Sequence, residues 1–512
     1  MKAVTREEIA FLDREASEKH HIPSSVLMEN AGRAVAESVL RNYPKVQRIA
    51  VLAGKGNNAG DGFVAARYLS KNKSVTLFLF GDPERLKGDA LSNFQALRSF
   101  PVKIEEFHET SPALNFPNFS SFDLLIDAVF GTGLKGVVEE FYLRIIETAN
   151  GSGVPILAVD IPSGLDANSG KPLPVAIRAS RTVTMGLPKV GLLAPSAYEF
   201  VGELEVADIG YPPELLFREG LKGHLLEPSD FKALLPPRKK DSHKGTYGKV
   251  LVIAGSLRYR GAANLAAFAS LKVGAGLAVL ALPRSLCLRN VRKPDEVIHL
   301  PLPETENYTI SLQALETALN EAENSKAVVL GPGLSQHPST RDFVLEFLKE
   351  NPTPTLLDAD GLNACASQPE VLLSTPAPLI LTPHPGELSR LLKVRTAEIQ
   401  EDRVGVCLKA ALDFDSIVVL KGFRTVIGDP AGNFYINPTG NPGMASGGMG
   451  DVLAGTIGGL LAQGVTPLEA CTLGVYAHGL AGDMVAAETG ERGIVASDLL
   501  HKLPLALRSL LS

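Results

Sequence analysis

The chain is sparing with cysteine, clusters none of its positive charge and offers no long membrane-like run. Only Cys287, Cys365, Cys407 and Cys471 occur in 512 residues, all in the second half and none in a Cys-x-x-Cys pair. Such spacing speaks against a disulfide framework and suits buried thiols in a reducing compartment. The net charge is −6 with no basic block, so duplex nucleic acid, whose binding rests on clustered Lys and Arg, is not an expected partner. The opening MKAVTREEIAFLDREA is charged throughout and lacks the apolar core of a signal peptide. The uncharged, mostly apolar run 452–468 contains Gly, Gln and Pro, which reads as a tightly packed interior helix ending near Gly464 rather than a membrane span. A cytoplasmic protein with no membrane partner is expected. There is no G-x-x-x-x-G-K-[ST] phosphate loop, no short internal repeat and no low-complexity tract.

What is present is an alternation. A chain of this length, 45% hydrophobic and 21% charged, fits two globular domains. RIAVLAG, SVTLFLFG, FDLLIDAVFG, VPILAVDIPSG and RTVTMGL are apolar, β-branched runs separated by helical stretches. That pattern predicts a mostly parallel sheet covered on both faces. It weakens around the paired prolines Pro212-Pro213 and Pro236-Pro237, which suit a linker. It then restarts with KVLVIAGS, GLAVLALP, AVVLGPGL, TPTLLDADGLN, LILTPHPGEL and SIVVLKG, followed by a hairpin across TVIGDPAGNFYIN. The fold class is therefore α/β, two domains in tandem, 1–222 and 223–512. In such sheets ligands sit beyond the carboxyl ends of strands, and the unusual residues lie in those loops.

In the first half, Gly54, Gly56 and Ala59 satisfy the dinucleotide pattern, but an acid at the end of the next strand would be Asp82, which comes late. The pattern leaves Asn57, Asn58 and Asp61 unexplained. Asp127 and Asp160 end two further strands, and Ser163 follows the second. Oxygen donors without His or Cys favour a hard ion such as a Group I cation, Mg2+ or Ca2+. The plainer alternative is that these residues cap helices and fix turns.

In the second half, Gly447, Gly448 and Gly450 open onto a helix, which brings backbone N–H groups close to an anion at the helix's positive end. Asp451 beside them repels phosphate, so it makes sense as a base that takes the proton of a hydroxyl gaining phosphorus. The plainer alternative is an N-cap. His384, between two prolines, carries weight only as part of its loop.

Together these stretches resemble a known family. Asn57-Asn-Ala-Gly-Asp-Gly, Asp127-Ala-Val-Phe-Gly-Thr-Gly and Val159-Asp-Ile-Pro-Ser-Gly resemble NAD(P)H-hydrate epimerase. Ser242-His-Lys-Gly-Thr-Tyr-Gly-Lys-Val, Thr382-Pro-His-Pro-Gly-Glu and Gly447-Gly-Met-Gly-Asp-Val-Leu-Ala-Gly resemble ADP/ATP-dependent NAD(P)H-hydrate dehydratase. The resemblance covers nearly the whole chain, in the order of the bifunctional repair enzymes. Ala59 replaces a frequent Gly, and Ser335 stands where Gly is common. The resemblance implies two three-layer αβα domains, Rossmann-like then ribokinase-like. It implies epimerisation of R- and S-NADHX and NADPHX in the first, and dehydration of the S form in the second, with ADP leaving AMP and phosphate and Mg2+ assisting.

It also implies site residues. Asn58, Asp127 and Ser163 would be K+ ligands. Asn57, Asn58, Ala59, Gly60 and Asp61, with Gly131, Thr132, Gly133, Leu134, Lys135, Gly136 and Val137, would contact the hydrate beside Asp160, the acid/base at carbon six, with Lys135 as a possible helper. In the second domain Gly333, His384, Pro385, Gly386, Glu387, Leu388, Ser389 and Arg390 would line the hydrate site with Asp451. Lys421, Gly422, Phe423, Arg424 and Thr425, and Asn441, Pro442, Gly443, Met444, Ala445, Ser446, Gly447, Gly448, Met449 and Gly450, would line the ADP site. A homo-oligomer is expected. The alternatives are a ribokinase-type kinase of a small alcohol or vitamin, and a first domain that only senses a nucleotide.

Overall fold

A computed structural model describes residues 1–108, 117–134, 136–235, 238–289 and 295–511. Lys135 lies outside the described residues. The chain divides into two compact units, Met1–Gly223 and His224–Ser512.

The first unit is built on a seven-stranded sheet: β1 (Arg48–Ala53), β2 (Ser74–Phe80), β3 (Val102–Phe107), β4 (Leu124–Ala128), β5 (Ile156–Val159), β6 (Arg181–Met185) and β7 (Glu203–Ala207). The spatial order is β3-β2-β1-β4-β5-β6-β7, and every pairing is parallel. Side-chain alternation explains the unbroken apolar runs. Ile49, Val51 and Ala53 enter one core, while Ala50 and Leu52 enter the core on the opposite face. The chain winds outward in both directions from β1 and β4, so the crevice lies beyond their carboxyl ends. Helix α1 (Ser24–Asn42) packs on α2 (Asn57–Leu69), which starts directly after β1. A Cβ on Gly32 would stand 2.4 Å from Val64 Cβ, so only glycine allows that approach.

The second unit carries β8 (Lys249–Ile253), β9 (Leu277–Pro283), β10 (Ile298–Leu302), β11 (Ala327–Leu330), β12 (Thr355–Leu357), β13 (Leu379–Leu381), β14 (Ile417–Leu420), β15 (Val426–Gly428) and β16 (Phe434–Ile436). They run β10-β9-β8-β11-β12-β13-β14-β15-β16, parallel up to β14 and antiparallel across the final hairpin. The hairpin turn closes where Asp429 Oδ1 accepts the Asn433 N–H at 2.9 Å. Helices α3 (Arg260–Lys272), α4 (Pro385–Leu392) and α5 (Met449–Ala462) frame the loops that matter below. Helix α5 is buried along nearly its whole length. Its glycines are contact points: a Cβ on Gly455 would meet Ala266 O at 2.0 Å, and one on Gly458 would meet Val329 Cγ2 at 2.3 Å. Each glycine costs the helix about 1 kcal/mol relative to alanine, and the close α3–α5 and α5–sheet packing offsets it.

Among the described residues no helix is long and apolar enough to cross a membrane. Helix α5 ends at Ala462, two residues before Gly464.

Candidate active sites

The strand-end loops of the first unit converge. Asp127 is fully buried on β4, and its carboxylate accepts the Ser163 hydroxyl at 2.5 Å, the Ser163 N–H at 2.7 Å and the Val129 N–H at 3.3 Å. No described cationic side chain pairs with it, and burial pushes its carboxyl up to about 6. Asn58 is also buried and donates to Phe130 O at 3.0 Å, while the Ser163 hydroxyl accepts the Phe130 N–H at 2.8 Å. A carboxylate, a hydroxyl, an amide and a main-chain carbonyl thus gather in one place. A buried unpaired carboxylate among neutral oxygens fits a monovalent hard cation. Among the described residues no group of three His, Cys, Asp or Glu side chains could hold a metal ion.

Beside this cluster lies a cavity of about 630 Å3. Asp160 lines it from a left-handed backbone position, φ +63°, which a non-glycine residue seldom adopts and which is found disproportionately at functional sites. Its Oδ1 accepts Lys189 Nζ at 2.5 Å, Met185 N at 3.1 Å and Thr184 Oγ1 at 3.2 Å. Asn57, Asn58, Asp61 and 131–134 line the same cavity. Asn57 and its neighbours form the opening turns of α2, with Gly56 as N-cap, rather than a free loop. Ala59 and Gly60 face the core, and a Cβ on Gly60 would meet Met28 Sδ at 2.5 Å. Gly136 and Val137 are exposed and outside the cavity lining. Asp82 caps a short turn through the Glu84 N–H and is not part of the cavity lining.

Five titratable groups on this cavity escaped the sequence reading: Asp13, Lys55, Asp89, Lys189 and Tyr211. The tyrosine hydroxyl donates to Asp13. Lys189 follows the strand β6, where the strand-end rule points. Asp13 lies in the helix Arg6–Glu18, ahead of β1, and carries no motif.

In the second unit α5 begins with Gly448 as N-cap at φ +93°, so Asp451 is the third helical residue and not the cap. No described group donates to its carboxyl, which burial and the nearby Asp358 push up to about 7 against the pull of Lys421. Lys421 Nζ sits 2.6 Å from Asp358 Oδ1 and 3.8 Å from Glu387 Oε2. Thr382 holds the same Asp358 oxygen at 2.8 Å. A Cβ on Gly450 would stand 3.4 Å from Lys421 Nζ, so the glycine brings the helix start against the ammonium. The result is an ammonium, a glycine-opened helix N-terminus and a carboxyl side by side.

The neighbouring loops are organised by local bonds. His384 caps α4, accepting the Gly386 N–H at 3.0 Å, while Glu387 accepts the His384 N–H at 2.8 Å. Pro385 opens that helix, Ser389 bonds Val394 O and Leu388 points into the core. Arg390 donates to Asn363 at 2.7 Å. Gly333, at φ +64°, is covered by Tyr259, whose Cβ lies 2.5 Å from where a glycine Cβ would be. In the Lys421–Thr425 stretch, Gly422 and Phe423 are exposed, Arg424 is left-handed at φ +55° and the Thr425 hydroxyl bonds Gly422 O. Buried Arg403, which the sequence did not flag, holds this loop through Leu420 O at 3.0 Å and Lys421 O at 3.2 Å. Asn441 caps the Pro442–Met444 turn and bonds Asp483; Ala445, Ser446 and Gly447 are exposed, whereas Met449 packs into the core.

Comparison with known proteins now decides the family. Residues 250–505 match the family described as NAD(P)H-hydrate dehydratase, and 24–191 match the one described as YjeF-related protein N-terminus. The bifunctional NAD(P)H-hydrate repair enzyme Nnr of Moorella thermoacetica is 43% identical over 520 residues, covering 100% of this chain and 97% of that protein. The chain belongs to the bifunctional NAD(P)H-hydrate repair enzyme family. Another member, from Thermofilum pendens, is 42% identical over 512 residues, with 100% and 97% covered. Among solved structures, a ribokinase-like superfamily protein of Enterococcus faecalis matches with a TM-score of 0.50 and 25% identity, covering 56% of this chain and 96% of that one. An ADP/ATP-dependent NAD(P)H-hydrate dehydratase of Bacillus subtilis, co-crystallised with ATP/Mg2+, gives 0.48 and 30%, covering 56% and 98%. In this repair-enzyme chain the cavity of the first unit draws Asp13 and Tyr211 from outside the 24–191 match.

Proposed function

We propose that the first unit, about 1–222, interconverts R- and S-NADHX and NADPHX, and that the second, about 223–512, converts the S form to NADH or NADPH with ADP as co-substrate. The observation that carries this reading is the Asp451 carboxyl, free of hydrogen-bond donors among the described residues and near its titration point, beside Lys421 and the glycine start of α5. Hydroxide leaves poorly from carbon six of the hydrated ring. Asp451 takes the hydroxyl proton as that oxygen bonds the β-phosphorus of ADP and AMP departs. The amides of 447–450 and Lys421 hold the moving phosphoryl group. The ring nitrogen then expels phosphate, and loss of a proton from carbon five restores the double bond.

The loops 421–425 and 441–450 are assigned to ADP, and Gly333 with 384–390 to the hydrate. Mg2+ bound with the nucleotide would neutralise phosphate charge. In the first unit Asn58, Asp127 and Ser163 would hold K+, supplying a fixed positive charge near the substrate. Asp160 serves as acid/base at carbon six, with 57–61 and 131–137 around the hydrate. The free cysteines, three of them buried, support a reducing cytoplasm, and a homo-oligomer is proposed; sedimentation of the purified protein checks the latter.

Acid-generated NADHX incubated with ADP and Mg2+ tests the whole reading. Recovery of the reduced-nicotinamide absorbance, with AMP and phosphate formed in equal amounts, is expected. Phosphorylation of a free alcohol with no recovery would reject it in favour of a vitamin-type kinase.

A further inference from the structure

Epimerisation at carbon six needs two proton movements, and the cavity of the first unit holds two differently built carboxyls. At Asp160 every described donor converges on Oδ1. The other oxygen is left for the cavity that the residue lines. Lys189 is 1% exposed, and its three donor positions are taken by Asp160, by Thr184 Oγ1 at 3.1 Å and by Met185 O at 3.1 Å. With no proton to spare for a substrate, Lys189 works only through Asp160.

Asp61 lines the same cavity and differs in every respect. It is the fifth residue of α2, past the end turn where the helix field is strongest. No described group donates a hydrogen bond to it. The charged groups acting on it are Asp160, Asp13 and, more weakly, Lys189. Lys55, Asp89 and Tyr211 complete the titratable lining. Burial first, then the two carboxylates, raise its carboxyl well above the usual range.

We propose that Asp61 and Asp160 are the proton donor and proton acceptor of the epimerisation, and that Lys189 is the positioning residue that gives Asp160 the acceptor role. The proposal rests on the epimerase reading above. The ring-nitrogen lone pair forms a C=N bond to carbon six as the C–O bond breaks. The departing oxygen takes the Asp61 proton and leaves as water. Water then adds to the other face, the electron pair returns to nitrogen and the water's proton passes to Asp160. One water leaves and one enters. The proton returns from Asp160 to Asp61 through cavity water, which resets both groups.

The test follows epimerisation of pure R-NADHX by the full chain across pH, with dehydration of pure S-NADHX as the folding control. Activity should fall at alkaline pH as Asp61 ionises. Asp61→Asn should lower kcat by about 10²–10⁴-fold, leave KM near its original value and abolish the alkaline limb. Asp61→Glu should retain part of the rate with the limb displaced. Lys189→Met, which leaves Asp160 unpositioned, should lower kcat for epimerisation by about 10-fold or more with KM little changed, and Lys189→Arg should restore part of the rate. Wild-type kcat and an unchanged profile in Asp61→Asn, or wild-type kcat in Lys189→Met, would overturn the proposal. A wild-type chain that leaves the R form untouched would instead overturn the epimerase reading itself.

Discussion

Asp451 shows what a single half-buried carboxyl does to both rate and stability. Its pKa near 7 means that the proposed base is mostly protonated at pH 6 and mostly ionised at pH 8. Dehydratase kcat/KM should therefore climb with pH through about 7, measured with S-NADHX and saturating ADP. The linkage has the opposite sign for folding. A carboxyl raised above its unfolded value binds protons more tightly when folded, so it contributes no penalty below about pH 4 and its full penalty above about pH 7. Asp451→Asn should thus lose dehydration by at least about 10²-fold, keep ADP binding and unfold later than wild type at pH 8 by roughly 1–4 kcal/mol, a gap that closes toward pH 4. A calorimetric pH series on both proteins checks it. The residue was legible because Gly-Gly-x-Gly-Asp before an apolar run has few other uses. Lys189 was not, because its partner Asp160 lies 29 positions earlier and only folding of adjacent strands joins them.

At the level of elements, packing of α5 controls the phosphate cradle. Gly448 combines φ +93° with a would-be Cβ 2.7 Å from Leu265 Cδ1 and 2.9 Å from Ala496 Cβ. Gly448→Ala should cost about 1–3 kcal/mol and weaken ADP binding, read by titration calorimetry. Gly455→Val should be worse, at least about 3 kcal/mol, since the added atoms meet α3 backbone rather than a movable side chain. The interior strands declared themselves as unbroken apolar runs. The strands the sequence reading passed over, β3 (VKIEEF), β7 (ELEVA) and β10 (IHLPL), carry charged or polar residues among the apolar ones. The first two are the outer strands of their sheet, and β10 also ends its run, so each is half-covered and lacks the double-sided burial that makes a run conspicuous.

For the molecule as a whole, each of the two units carries its own core and its own proposed site. The Enterococcus neighbour, covering 56% of this chain but 96% of itself, shows that the second fold exists as an independent protein. A protease site inserted in the exposed stretch 218–220 should leave both activities at near-wild-type rates after cleavage, each assayed with its own pure epimer. Replacing K+ by a larger organic cation should slow only the epimerase. Tandem organisation has a further effect on cellular arithmetic. Ribosomes making this polypeptide supply both kinds of centre in a fixed one-to-one ratio at any expression level. Damaged cofactor of the R form draws on both centres in series, so its repair is capped by whichever centre turns over more slowly, while the S form draws only on the second.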